Sequence, residues 1–357
     1  MPVTGLRYGW TTGACATAAA TAAYAALLTG EFPDPVTITL PRGQRPAFAL
    51  NSTALADGRA SASVVKDAGD DPDVTHGAVI GVTVGHGVPG SGVVFVAGSG
   101  VGTVTKPGLP LAVGEPAINP VPRRMIREHI AEVAAAHGGS GDVVVEIGVV
   151  GGVELAVRTW NPRLGIVGGL SILGTTGVVV PFSCSAWIDS IRRGIDVARA
   201  LGHRHVAGCT GSTSERAVAA LYGLPDDALL DMGDFAGAVL KYLRRHPIER
   251  LTVVGGIGKL SKLAAGHLDL HSGRSQVDPA VLADLVTAVG HDASLVADAA
   301  TALDALRRCQ AAGVPLGDLV AARARLVALD VLRGAPVAVD VVVIDRQGDI
   351  VGRSGPA

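Results

Sequence analysis

The stretch Lys66-Asp67-Ala68-Gly69-Asp70-Asp71-Pro72-Asp73-Val74-Thr75-His76 crowds four carboxylates between a lysine and a histidine. Like charges at that spacing repel, so some of these carboxyls are expected to hold their protons tightly, as a general base or a cation site requires. Asp, Gly and Pro are equally the ordinary residues of a solvated turn. Asp67 and His76 are the expected proton acceptors of the stretch.

Three glycine-rich segments form a second set: Gly168-Gly169 through Gly174-Thr175-Thr176-Gly177, then Gly208-Cys209-Thr210-Gly211-Ser212, then Gly255-Gly256-Ile257-Gly258-Lys259. In open parallel sheets ligands bind beyond the carboxyl ends of the strands, where glycines admit the backbone and helix N-terminal amides face the ligand. Read as strand-to-helix turns, the three are expected to converge on one sheet edge and hold a small cofactor. Its contacts would be Gly174, Thr175, Thr176, Thr210, Gly211, Gly255, Gly256, Gly258 and Lys259. A P-loop needs glycine five places before Gly258 and Ser or Thr after Lys259, but Val253 and Leu260 stand there. No strand is followed by a full dinucleotide fingerprint either. A nucleoside-type ligand without a pyrophosphate remains.

Cations beside glycine-rich or extended segments form a third set: Arg7, Arg42, Lys106, Arg123, Arg124, Arg158 and Arg163. A guanidinium pairs bidentately with a carboxylate, and Arg123 and Arg124 in a helix's first turn oppose the macrodipole unless an anion lies there. His267 and His271, with Asp269 and Arg274, have the four-residue spacing of a zinc pair on a helix. No glutamate completes a metalloprotease pattern, so no protein-bound metal is expected.

The elements that must position these residues change character along the chain. A helix opens after Thr11 and stops at Gly30; it is apolar but shorter than the roughly 20 residues of a membrane span, and reads as a buried first helix rather than a leader. Short runs follow, Val36 to Leu40, Ala60 to Val65, Ala78 to Val84, Gly92 to Ala97 and Val101 to Thr105, suggesting an antiparallel-type sheet. Pro120 and Pro122 open a second helix. Gly151-Gly152 looks like the turn of a hairpin joining 142–150 to 153–159. From about Ser183 apolar strands alternate with helices, at 205–208 then 212–222 and 251–255 then 258–271, which implies parallel strands with covered faces. The expected architecture is mixed α/β: an α+β domain over 1–180 and a Rossmann-like parallel α/β domain over 181–335, with a strand at 337–345 returning to the first.

Apolar residues make up 48% of the 357 and charged ones 17%, enough for real cores. The net charge of −2 and the lack of a basic stripe argue against a nucleic-acid partner. Cys15, Cys184, Cys209 and Cys309 follow no disulfide or metal spacing and read as reduced, cytoplasmic thiols. Neither a membrane partner nor a fixed oligomeric state is indicated, and a homo-oligomer stays open.

Several long strings, in order from about Leu6 to Asp278, carry a resemblance. They are Arg7-Tyr8-Gly9-Trp10-Thr11-Thr12-Gly13-Ala14-Cys15-Ala16, the Lys66 to His76 turn, Gly98-Ser99-Gly100-Val101-Gly102 to Asn119-Pro120, Asn161-Pro162-Arg163-Leu164-Gly165-Ile166 through Pro181, Met232-Gly233-Asp234-Phe235, and Gly256-Ile257-Gly258-Lys259-Leu260 through Ser272. The chain resembles the cobalt-precorrin-5B C-1 methyltransferase family, CbiD. That resemblance implies methylation of a corrin ring carbon by S-adenosylmethionine in cobalamin synthesis, giving cobalt-precorrin-6A. It implies an α+β domain joined to a smaller Rossmann-like one, and a substrate whose acetate and propanoate groups give the scattered arginines a purpose; the expected substrate contacts are Arg7, Lys66, Asp70, Lys106, Arg123 and Arg163. The family often carries histidine where Gly256 stands here. Phosphotransfer on a small molecule, suggested by Gly98 to Gly102, and non-catalytic tetrapyrrole binding are the competing readings.

Overall fold

The structure, a computed structural model, describes residues 5–356. The chain divides into two compact units, the first ending at Ser183 and the second beginning at Cys184.

The first unit is built on helix α1 (Thr12–Thr29). The Thr11 hydroxyl accepts from the Ala14 amide at 3.2 Å, and Gly30, at φ 86°, ends the helix in the left-handed conformation. Alanine on almost every side lets the helix lie close to its neighbours all round, so it is buried rather than amphipathic. The segment that imitates a leader is thus this unit's core helix. Its one aromatic side chain, Tyr24, is 1% exposed, and its hydroxyl accepts from the Gly141 amide at 3.0 Å.

Against α1 lies a five-stranded sheet of β1 (Ser52–Ala56), β2 (Arg59–Val65), β3 (Val79–His86), β4 (Val93–Ala97) and β5 (Val143–Val149), in spatial order β1-β2-β3-β5-β4. Every pairing is antiparallel except β5 with β4, so the sheet is mixed. Helix α2 (Pro120–His137), opened by Pro120 as expected, also packs on α1. The hairpin expected at Gly151-Gly152 does not form. Gly151 is left-handed at φ 67° and the chain enters a short helix, α3 (Gly152–Ala156), because β5 already has strands on both sides. The run at 101–105 breaks into two two-residue strands, and that at 36–40 pairs only at Val36–Thr37.

The second unit alternates as the sequence suggests: α4 (Cys184–Ala200), β6 (His205–Cys209), α5 (Ser212–Tyr222), β7 (Leu229–Asp231), α6 (Ala236–Leu243), β8 (Arg250–Gly256) and α7 (Ile257–Ala264). Helices α8 (Pro279–Thr287), α9 (Ser294–Ala297), α10 (Ala302–Ala311) and α11 (Leu316–Leu332) precede β9 (Ala338–Ile344) and β10 (Ile350–Ser354). The spatial order is β7-β6-β8-β9-β10, parallel except for β10. Strand β9 therefore belongs to this sheet and does not return to the first unit. Its run of buried apolar residues suits a strand covered on both faces, with β8 as its parallel neighbour. Val206, Leu251, Val253, Val341 and Val343 face the larger helical layer, while Cys209, Val254, Val342 and Ile344 face α5. Each such buried valine or leucine contributes about 1.5–3 kcal/mol.

Candidate functional site

Counted along the chain, the second sheet has the order 2-1-3-4-5, which reverses direction between β6 and β8. In doubly wound sheets that switch point opens a crevice at the carboxyl ends of the strands. Here a cavity of about 1010 Å³ lies there, lined by the turns after β6, β8 and β9 and closed by residues of α8, α10 and the segment before α10. Its volume sits at the top of the roughly 300–1,000 Å³ range of small-molecule pockets.

Five of the expected cofactor contacts line it: Thr210, Gly211, Gly256, Gly258 and Lys259. A β-carbon on Gly258 would meet nothing within 4 Å, and one on Gly256 only the Ile344 carbonyl at 4.0 Å. Both glycines thus border open space that a ligand could fill. Gly255 has a different task. A β-carbon there would come within 2.6 Å of the Thr210 side chain, so this glycine lets the two turns pack together. Lys259 Nζ donates to the Thr210 carbonyl at 3.1 Å and lies 3.2 Å from Asp234 Oδ1. That oxygen is enclosed and has no other polar partner among the described residues. Lys259 therefore ties turns together instead of reaching for a phosphate.

Gly174, Thr175 and Thr176 belong elsewhere, which corrects the expectation of three converging turns. They lie in the first unit, where a β-carbon on Gly174 would strike the Thr11 side chain and one on Gly177 would strike Leu40. The strand that follows, Val178–Val179, pairs antiparallel with Gly9–Trp10, so this is no turn of a parallel sheet. The third contributor to the crevice is instead the Asp345-Arg346 loop after β9, which the sequence reading missed. Its signal in the sequence is an apolar strand followed by Asp345-Arg346-Gln347-Gly348.

The Lys66 to His76 turn brings together Arg7, Lys66, Asp67, Asp70 and His76, but as partners of one another. Arg7 bonds Asp67 through its guanidinium and Asp70 through its amide, the latter at 2.7 Å. The hydrogen bonds from Arg7 and from the Gly69 amide hold the Asp67 carboxyl below its usual range. Lys66 is 1% exposed and sits 2.7 Å from Asp73. Burial pushes the Asp73 carboxyl up, but Lys66 and the Thr75 amide and hydroxyl outweigh it, and the net direction is down. Crowding was expected to raise these carboxyls; the interleaved cations reverse the sign. His76 Nδ1 accepts from the Ala68 amide at 3.1 Å, which leaves the proton of the neutral ring on Nε2. The Asp67 carboxylate and His76 Nδ1 thus both already accept hydrogen bonds from within the turn or from Arg7.

Arg42 and Arg158 stand exposed, whereas the other cations are engaged, Arg124 with Glu128. Arg123 donates to the Ile118 carbonyl at 2.7 Å and the Pro116 carbonyl at 3.0 Å, so loop carbonyls answer its awkward place in the first turn of α2. Lys106 Nζ donates to the Arg163 carbonyl at 3.4 Å, and Arg163 lies over the Trp160 ring at 5.2 Å. His267 and His271 fall outside any helix. Gly266, at φ 92°, follows the end of α7, so the zinc-pair spacing has no helical face to act on. Among the described residues no group of three His, Cys, Asp or Glu side chains is placed to hold a metal.

Comparison with known proteins gives the family. The CbiD model matches residues 2–181, and the model of the CbiD C-terminal domain matches residues 269–355. The cobalt-precorrin-5B C(1)-methyltransferase of Paramagnetospirillum magneticum is 62% identical over 97% of this chain and 98% of its own length. That of Brucella anthropi is 61% identical over 98% of this chain and 95% of its own. A crystal structure of a cobalamin biosynthesis protein (cbiD) from Archaeoglobus fulgidus aligns with 87% of this chain and 85% of its own at 24% identity, with a TM-score of 0.41. With one family model spanning half its length and full-length relatives above 60% identity, the chain belongs to the CbiD family.

Proposed function

We propose that this chain transfers the methyl group of S-adenosylmethionine to C-1 of cobalt-precorrin-5B, and that the donor lies in the crevice beyond β6, β8 and β9. The observation that carries the reaction is full-length identity above 60% to two relatives bearing that name. The crevice supports the donor's location. It lies at the switch point, it is large enough for a nucleoside, and the one lysine in its turns is committed to protein partners, as a ligand without phosphates allows.

The chemistry asks little of side chains. An electron-rich ring carbon attacks the sulfonium methyl in line and the sulfur departs as a neutral thioether, so catalysis is mainly the holding of two reactants in register. For the macrocycle we favour the first unit. Tyr8, Val180 and Phe182 stand exposed along one short ribbon beside Arg7, an apolar strip edged by a cation. Lys66, buried against Asp73, is withdrawn from substrate contact. We assign the reaction to the cytoplasm, because all four cysteines are free thiols, the state a reducing compartment maintains.

The test is to incubate the purified protein with cobalt-precorrin-5B and S-adenosylmethionine and to follow the corrinoid by mass spectrometry. Gain of one methyl, dependent on both reactants, is expected. Binding of the macrocycle with no gain in mass would refute catalysis in favour of a carrier.

A further inference from the structure

The crevice has a mixed lining: Ser212, Thr213 and Ser214 of the α5 first turn and Arg346 stand with apolar Val277, Leu282, Val296 and Leu303. A ligand charged at one end and apolar at the other suits such a lining.

Arg346 is set up for the charged end. The loop that carries it is fixed by Asp345, whose Oδ1 accepts the amides of Gln347, Gly348 and Asp349, each at 2.9 Å. The Asp345 amide in turn donates to the Asp349 carbonyl at 3.0 Å. The Arg346 side chain is exposed and, among the described residues, makes no ion pair or side-chain hydrogen bond. The other cation of the cavity, Lys259, is held by Thr210 and Asp234. Arg346 is therefore the cation left for a ligand, and its planar fork matches the two oxygens of a carboxylate. Beside it, the N-cap residue of α5 is Gly211, which brings no side chain to cap the first-turn amides.

We infer that Arg346 recognises the carboxylate of the methyl donor's amino-acid tail, beside the first turn of α5, while the apolar lining residues take the adenine. This rests on the donor reading above and adds the ligand's polarity and the residue that sets it.

Two ligands separate the halves. S-adenosylhomocysteine carries the tail; 5′-methylthioadenosine keeps the nucleoside and sulfur but lacks the tail. Titration calorimetry on the full chain should show Arg346→Gln weakening S-adenosylhomocysteine about tenfold, as expected when a charge-assisted hydrogen bond is lost. Methylthioadenosine affinity should stay unchanged, and Arg346→Lys should recover part of the loss. Val277→Gln, in the cavity's apolar lining, should weaken both ligands alike. Equal effects of Arg346→Gln on the two ligands, or none on either, would overturn the assignment while leaving the donor reading intact. If the wild-type chain bound neither ligand, the donor reading would fall and the assignment with it.

Discussion

Replacing Gly258 by leucine should remove donor binding and leave the fold intact. Gly258 is the second residue of α7 and lines the crevice, and a β-carbon there meets no atom within 4 Å. The first carbon of the new side chain therefore crowds no neighbouring element. Glycine is the poorer helix former by up to about 1 kcal/mol, so stability should hold or rise, and by about 2–4 °C in melting temperature at most for a unit of this size. The leucine side chain would occupy the space beside the α5 first turn. A donor displaced from two charge-assisted contacts there loses about 1.5 kcal/mol for each, or about 3 kcal/mol, which is roughly a hundredfold in affinity. Alanine, reaching less far, should cost about tenfold at most. Calorimetry with S-adenosylhomocysteine reads the affinity and scanning fluorimetry the fold. A leucine variant that binds within about threefold of wild type would refute the placement of the ligand against this turn.

Two further perturbations test the rest of the account. Asp73→Asn leaves the Lys66 ammonium buried without its counter-charge and should destabilise the first unit by about 3–5 kcal/mol, read from urea unfolding. His205, whose Nε2 lies 2.8 Å from Thr252 Oγ1, is held below its ordinary pKa by burial and by Arg250. Its folded-state pKa lies below the unfolded value of 6.5, so the unfolded chain takes up the proton first. The stability it contributes is present above that pH and is lost as pH falls toward the folded value. Between pH 7.5 and 5.5 the wild type should lose more stability than His205→Gln, and parallel losses would contradict this.

How much was legible in the sequence depended on whether a signal was local. The cap at Thr11, the stop at Gly30 and the proline opening of α2 act within a turn, and all stand in the structure. So does the βα alternation from β6 to α7, because apolar runs and glycine turns recur there at the parallel-sheet rhythm. What failed was non-local. Whether β9 joins one sheet or the other is decided by which neighbour offers a free edge, and nothing within 338–344 states that. Losing β9 lost Asp345 and Arg346 as well. Gly174-Thr175-Thr176-Gly177 resembled a strand-to-helix turn by composition, but its glycines serve close packing against Thr11 and Leu40. Asp67 and Asp73 misled in sign, because repulsion is visible in sequence whereas the reach of Arg7 and Lys66 is not.

The location of the methyl donor is tested most directly by hydrogen–deuterium exchange of the intact chain with and without S-adenosylhomocysteine. Amides at 210–214, 256–259 and 344–348 should become protected together, because these three turns border one cavity. Protection confined to 67–76 or 174–177, with the three turns unchanged, would contradict it.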